Sequence, residues 1–214
     1  MRAQRREEAF RIVRQAAAVC LGYPDRDVIA TSGLVRAALA EKAPRQTEGF
    51  EPLFAYWESG DLAAIQTHYV DVFDLSRKHS LYLSYWTDGD TRRCGEVLTA
   101  FKQRYRRSGF LVDTGGELPD YLPMVLEYAA VADPVDGSAL LQEYRSSVEL
   151  LRLALLECGT PYAGVVTAVC STLPGPSPAD RKAVMAMAAV GPPTETVGLE
   201  PPTGARLLPM GESR

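Results

Sequence analysis

The chain has 214 residues, of which 46% are hydrophobic and 23% charged, a balance typical of one soluble globular domain with its own core. Its formal net charge of −4 disfavours a general nucleic-acid binder, whose surface would be basic, and mildly favours a basic partner. The charged first ten residues lack an apolar signal core, and Arg152 interrupts the richest apolar run, 150–156. We therefore expect a cytoplasmic protein without stable membrane insertion.

The first third of the chain reads as successive helices joined by short turns. Apolar residues recur at helical spacing over 6–21, and Pro24 follows the end of that helix. Further helices are predicted over about 25–42, over about 47–59, and from a cap at Asp61 onward. This part of the sequence shows no sustained alternation of apolar and polar residues, so it does not predict a sheet.

The aromatic run at 81–86 is ambiguous, because its residues favour strands but an isolated strand has nowhere to pair. We interpret it as helical, with 87–90 as a turn. A helix then begins at Asp90 or Thr91 and ends near Ser108. The middle of the chain is thus also predicted to be helical.

The next helix carries Pro119 in its first turn and ends before Pro134. Residues 138–158 have the widest apolar stripe and are predicted to form one helix, the most buried of the fold. A helix over about 161–172 and a last one, opened by Ser177-Pro178, complete the prediction.

The fold class predicted from this pattern is all-α, a single-domain helical bundle over 1–190. Residues 191–214 are rich in proline and glycine and carry no helical stripe. We predict a disordered or loosely attached tail there.

The chain offers little for catalysis. Its two histidines, His68 and His79, lack a neighbouring ligand cluster, and the sequence contains no H-E-x-x-H, no glycine-rich phosphate loop and no G-x-S-x-G. No C-x-x-C occurs, so buried free thiols are expected for the cysteines, which are Cys20, Cys94, Cys158 and Cys170. We predict no catalytic residue, no metal site and no cofactor.

Aromatic and acidic residues concentrate between 69 and 128. Core packing accounts for some of the aromatic side chains, and a groove with acidic edges is the alternative. Asp120 and Glu127 lie two turns apart on one predicted helix, where a solvated face and a binding role are equally good interpretations. Tyr121 and Tyr128 flank the same helix and favour the binding role.

Three motifs resemble a known family. These are L-G-Y-P at 21–24, Y-W-T-D-G-D-T-R-R at 85–93 and P-D-Y-L-P-M-V-L-E at 119–127. Over about residues 6–160, the chain resembles the molybdenum-cofactor assembly chaperones of respiratory nitrate reductase, the NarJ type. One departure is Tyr121, because the family usually has histidine there, and tyrosine does not become cationic near neutral pH.

The resemblance implies the all-helical fold of the redox-enzyme maturation chaperones. It further implies a cytoplasmic protein that binds the N-terminal segment of the nitrate reductase catalytic (alpha) subunit. Such binding would hold the immature enzyme open for iron–sulfur and molybdenum-cofactor insertion and delay membrane docking. The resemblance implies no catalysis by the chaperone itself.

We accordingly predict a peptide-binding groove in which apolar burial supplies affinity and carboxylates set orientation. Removal of Asp120 is then expected to weaken peptide binding more at low salt than at high salt. The predicted groove residues are Tyr69, Phe73, Tyr85, Trp86, Asp88, Asp120, Tyr121, Pro123 and Glu127.

Two other functions stay open at this stage. A helical scaffold or regulatory subunit of a redox complex would co-purify with mature enzyme at fixed stoichiometry. A metal-dependent helical hydrolase would retain tightly bound metal after purification.

Overall fold

Twelve α-helices run through residues 1–87, 94–109 and 115–190, the parts of the chain that the computed structural model describes. The described residues contain no strand, so the predicted all-α class is confirmed. The helices are α1 (Arg2–Leu21), α2 (Arg26–Ala30), α3 (Ser32–Lys42), α4 (Pro44–Ser59), α5 (Leu62–Tyr69), α6 (Leu83–Thr87), α7 (Cys94–Arg107), α8 (Leu122–Glu127), α9 (Pro134–Glu143), α10 (Arg145–Cys158), α11 (Ala163–Cys170) and α12 (Arg181–Val190). The predicted tail at 191–214 lies outside the described residues.

The core forms where the apolar stripes of five helices meet. Helix α1 packs against α8, α4 packs against α11, and α10 lies against α11. Fully buried side chains at the centre of this core are Val13, Phe50, Phe54, Val125, Leu126, Leu155 and Val166. The helical spacing in the sequence therefore located most of the buried face.

Two of the predicted helices are each divided in two. Helix α9 ends at Glu143 and α10 begins at Arg145, because Tyr144 leaves helical geometry with φ −96 and ψ 21. The Tyr144 ring packs 5.0 Å from the ring of Phe101, so a tertiary contact accompanies the break. The predicted helix over 25–42 is likewise divided, at Thr31.

Two predicted helix starts that were assigned from prolines lie several residues too early. Helix α8 begins at Leu122 with Pro123 in its first turn, so Pro119 lies before the helix. Helix α12 begins at Arg181, where the carboxylate of Asp180 accepts the N–H of Ala183 at 2.8 Å. An aspartate cap thus takes the role that the sequence assigned to Ser177.

The segment 81–86 begins with a backbone bridge to a distant residue and continues as a helix. Tyr82 forms an isolated antiparallel bridge with Tyr121, and helix α6 follows directly. The N–H of Leu122 donates to the carbonyl of Leu81 at 2.8 Å, and that of Leu83 donates to the carbonyl of Asp120 at 3.1 Å. The helical interpretation holds from Leu83 onward, while the preceding residues find a partner that lies far away in sequence.

Two α-helices continue as π-helical turns. Val70–Asp74 extends α5, and Tyr128–Ala132 extends α8. Such turns shift the register of the side chains that follow, and they often occur beside functional sites.

The cysteines follow the prediction in part. Cys20 and Cys170 are buried, and burial raises the pKa of the Cys20 thiol to about 12. Cys158 is exposed, since it lies at the outer end of α10, and the side chain of Cys94 lies outside the described residues. Among the described residues, no helix has both the length and the apolar character to cross a bilayer.

Helices α4 and α11 cross at two glycines, which gives a test of the packing. A Cβ built on Gly164 would clash with the carbonyl oxygen of Gly49, whereas one on Gly33 in α3 meets nothing within 4 Å. We expect Gly164→Ala to lower the free energy of unfolding by about 1–3 kcal/mol through overpacking. Gly33→Ala is the matched control and should raise it by about 0.5–1 kcal/mol, because alanine favours the helix. Urea unfolding measures both, and equal effects would contradict the close crossing.

Candidate functional site

A surface groove of roughly 350 Å³ lies between the end of α1, the start of α2 and the outer face of α8. Its walls are mainly apolar, and two carboxylates stand among them. The lining residues are Gln15, Ala18, Val19, Gly22, Tyr23, Val28, Glu117, Tyr121, Pro123, Met124 and Glu127. We call it the α1–α8 groove.

An aromatic layer supports the floor of the α1–α8 groove. Tyr23 is 47% exposed, and its ring is nearly perpendicular to that of Tyr69, with 5.6 Å between the ring centroids. Beneath it, the Tyr69 ring lies 4.9 Å from Phe73 and 5.9 Å from Tyr162. The floor is therefore built on a packed aromatic cluster that holds its shape when the groove is empty.

A chain of hydroxyl groups fixes Tyr121 in the wall. The Tyr69 hydroxyl donates to the carbonyl of Leu21 at 2.9 Å, and its oxygen lies 3.2 Å from the hydroxyl of Tyr121. Because the Tyr69 proton is already used, Tyr121 donates to Tyr69. Burial raises the pKa of both tyrosines, so both stay neutral and the chain stays intact near neutral pH.

The edge of the α1–α8 groove is acidic. Glu117 and Glu127 are exposed, and the Tyr82 hydroxyl donates a hydrogen bond to the Glu117 carboxylate. Desolvation, and after it the charge of Glu117, raises the pKa of Asp74. This edge suits a cationic group, since a positive charge would relieve the repulsion between the acids.

Asp120 lies inside the protein, contrary to the predicted role at the rim. Its side chain is 0% exposed, and one carboxylate oxygen accepts the N–H of Ser84 at 3.0 Å and the hydroxyl of Ser84 at 2.6 Å. These bonds tie the start of α6 to the turn before α8. Asp120 therefore acts as a positioning residue, and the expected salt dependence passes to the exposed carboxylates.

Replacement of Asp120 by alanine should affect folding first. Because the N–H of Ser84 would stay buried without a partner, we expect the free energy of unfolding to fall by about 1–3 kcal/mol. Any loss of peptide affinity should be the same at low and high salt, because the buried side chain of Asp120 does not face the solvent. The exposed Asp71→Ala is the control and should stay within about 0.5 kcal/mol of the parent. If the loss of peptide affinity becomes smaller as salt is added, the result would contradict this interpretation and indicate that Asp120 contacts the peptide.

The other predicted residues divide into three groups. Tyr121, Pro123 and Glu127 line the groove, and Tyr69 and Phe73 lie buried beneath it. Tyr85 and Trp86 do not line the groove; they lie on α6, where the Trp86 ring N–H donates to the carbonyl of Ser80 at 2.9 Å. Asp88 lies outside the described residues.

Sequence reasoning missed the wall contributed by α1. Tyr23 belongs to the L-G-Y-P motif at 21–24, and Glu117 lies two residues before the motif at 119–127. Gln15 gave no signal. Its side-chain oxygen is buried without a hydrogen-bond partner in the described structure, and the residue lines the groove wall.

Within the described ranges, no three histidine, cysteine, aspartate or glutamate side chains cluster in a way that could hold a metal ion. The groove itself has the character of a recognition surface. It offers apolar contact area, carboxylate oxygens that can accept hydrogen bonds from cationic groups or N–H donors of a ligand, and a packed aromatic base.

The chain is similar in sequence to several known proteins. A family model described as nitrate reductase delta subunit matches residues 36–168. The chain is 40% identical over 161 residues to the nitrate reductase-like protein NarX of Mycobacterium tuberculosis, which covers 75% of this chain but only 24% of that protein. It is 33% identical over 165 residues to a Bacillus subtilis protein described as a nitrate reductase molybdenum cofactor assembly chaperone, NarJ, covering 76% of this chain and 88% of the other.

The fold also has a counterpart among solved structures. A crystal structure described as a redox enzyme maturation protein from Archaeoglobus fulgidus matches with a TM-score of 0.57 and 20% identity, over 75% of this chain and 91% of that one. At this identity the likeness concerns the fold, and it confirms the predicted fold type.

Proposed function

The chain belongs to the nitrate reductase delta subunit family, and from this premise we propose that it is a maturation chaperone for nitrate reductase. It binds the N-terminal segment of the immature catalytic subunit in the cytoplasm. While bound, it keeps the enzyme accessible for molybdenum-cofactor and iron–sulfur insertion before membrane docking. It makes no covalent change to its client.

The observation that carries the proposal is the α1–α8 groove. One of its walls comes from P-D-Y-L-P-M-V-L-E, the run that led to the family. The wall presents Tyr121, Pro123 and Met124 as contact area, with Glu127 at the edge. Such a surface fits a peptide that carries apolar side chains together with a lysine or arginine.

The physical role of each part follows from its surroundings. Burial of apolar side chains on the aromatic floor supplies most of the affinity. Glu117 and Glu127 orient the cationic end and speed encounter.

The test is a pull-down from cells that cannot make the molybdenum cofactor. We expect the chain to capture the immature catalytic subunit, and a synthetic peptide of its N-terminal segment to bind in calorimetry. Tyr23→Ala should weaken the binding of that peptide, since the substitution removes exposed ring surface from the groove wall. No binding of the peptide to the parent chain would overturn the proposed client segment.

A stable subunit is the second candidate. The family description names a subunit, and the Mycobacterium tuberculosis relative contains the matching stretch within a longer protein described as nitrate reductase-like. This alternative predicts co-purification with mature enzyme at fixed stoichiometry. A chaperone should be recovered with the immature form only.

A further inference from the structure

A second groove, of roughly 680 Å³, lies at the opposite end of α1. It is bounded by the first turns of α1, the junction of α3 with α4, and the end of α11. Five of the residues that line it are cationic, and among the described residues none that line it is acidic. The cations are Arg2, Arg5, Arg6, Lys42 and Arg45. We call it the basic groove.

The arginines occupy positions where the core-facing stripe of α1 would otherwise continue. Val13 and Ala17 lie on that stripe and are fully buried. Counting back from Val13 by helical steps reaches Ala9, then Arg6 and Arg5, then Arg2. The inner face of α1 therefore changes from apolar to cationic where it leaves the core, and the charge prevents the groove from closing by apolar packing.

Most nearby acids already have partners. Glu8 and Glu41 lie 3.2 Å and 3.3 Å from the Lys42 ammonium, and Glu7 lies 3.8 Å from Arg14. The hydrogen bonds that Lys42 makes to Glu8 and Glu41 raise the pKa of Lys42, which stays cationic. Within the described residues, no ion pair includes Arg2, Arg5 or Arg45. The positive potential of these exposed side chains therefore extends into the solvent.

We propose that the basic groove binds an acidic polypeptide segment. Its cations come from three places in the chain and are all exposed, so they form an extended row and not a closed phosphate pocket. The start of α4 adds positive potential, because its cap residue Ala43 offers no side chain to the free N–H groups. A chain with several aspartates or glutamates matches this spread of charge, and arginine pairs well with carboxylates.

The basic groove is separate from the α1–α8 groove, so this inference does not depend on the proposed client segment. The two share no lining residue. On α1 the nearest lining residues of the two grooves, Phe10 and Gln15, are about 8 Å apart along the helix, and Arg5 and Ala18 are about 20 Å apart. The two grooves are therefore distinct surfaces on the same helix.

The test uses the full chain and a fluorescein-labelled peptide of ten glutamates, with fluorescence anisotropy as readout. The variant is Arg5→Glu with Arg45→Glu, and both changes favour folding because they place acids in first helical turns. We expect binding by the parent chain at low salt and about tenfold weaker binding by the variant. The control, Arg106→Glu with Arg107→Glu on α7, changes the net charge equally and should bind within about twofold of the parent.

Three outcomes would overturn the proposal. These are no binding to the parent chain, equal weakening in the variant and the control, and displacement of the peptide by equimolar pyrophosphate, which would assign the groove to a compact phosphate ligand. The client peptide should bind the variant as it binds the parent. A failure of the client peptide alone would count against the proposed function and leave the basic groove in place.

Discussion

Replacing Glu117 and Glu127 together by lysine is expected to weaken binding of the client's N-terminal peptide by about tenfold to thirtyfold at low ionic strength. Both carboxylates are exposed at the edge of the α1–α8 groove, so the change turns attraction of a cationic side chain into repulsion. The loss should shrink as salt is added, because exposed charges are screened within about 8 Å at physiological ionic strength. Calorimetry over a salt series measures it.

The matched control is Glu48→Lys with Glu96→Lys. These two exposed glutamates lie on α4 and α7, outside the α1–α8 groove, and the substitution changes the net charge by the same amount. We expect the control to bind within about twofold of the parent. An equal loss in both pairs would mean that net charge and not the groove edge governs the affinity. Glu127→Lys alone keeps the bond between Tyr82 and Glu117 and should give a smaller loss of the same kind.

Glu149→Ala is expected to lower the free energy of unfolding by about 3–5 kcal/mol, the largest stability effect we foresee. Glu149 is 0% exposed, and its carboxylate accepts the Arg152 N–H at 2.6 Å and lies 3.7 Å from Arg145. The substitution leaves two buried guanidinium groups without their counter-charge. Urea unfolding measures the loss, and the slope of the free energy of unfolding against urea concentration should be the same for the variant and the parent.

The same two arginines hold the segment that leads into α12. Arg145 donates to the carbonyls of Pro174, Gly175 and Pro176, and Arg152 donates to that of Pro178 at 2.6 Å. We therefore expect Glu149→Ala to loosen this segment as well. The control is Glu157→Ala, which removes an exposed pair with Arg181 and should cost no more than about 1 kcal/mol. A loss at Glu149 no larger than at Glu157 would contradict the buried ion cluster.

Part of the candidate site was predictable because it lies on one short stretch of sequence. Pro123 and Glu127 are four residues apart on α8, so helical spacing brings them to one face, and Tyr121 lies at the cap directly before the helix. The opposite wall, with Gln15 and Tyr23, lies about a hundred residues earlier. No local pattern links the two walls, since only the packing of α1 against α8 brings them together.

The orientation of single side chains was the least predictable part. Asp120 and Glu127 were equivalent in sequence, yet one is sealed and the other exposed. The difference arises from the bridge between Tyr82 and Tyr121, which turns Asp120 toward the N–H of Ser84. A hydrogen bond between residues 36 positions apart has no signature in helical periodicity.

By itself, the sequence determined that the chain is a bundle of helices, where most of the apolar stripes lie, and which family it resembles. These follow from local spacing and motifs, because a helix forms from bonds between residues four apart. The tertiary structure alone decided which walls face each other, which acids reach solvent, and that α1 changes from apolar to cationic at an open groove. Those features depend on contacts between distant segments, and their energies exist only once the helices have packed.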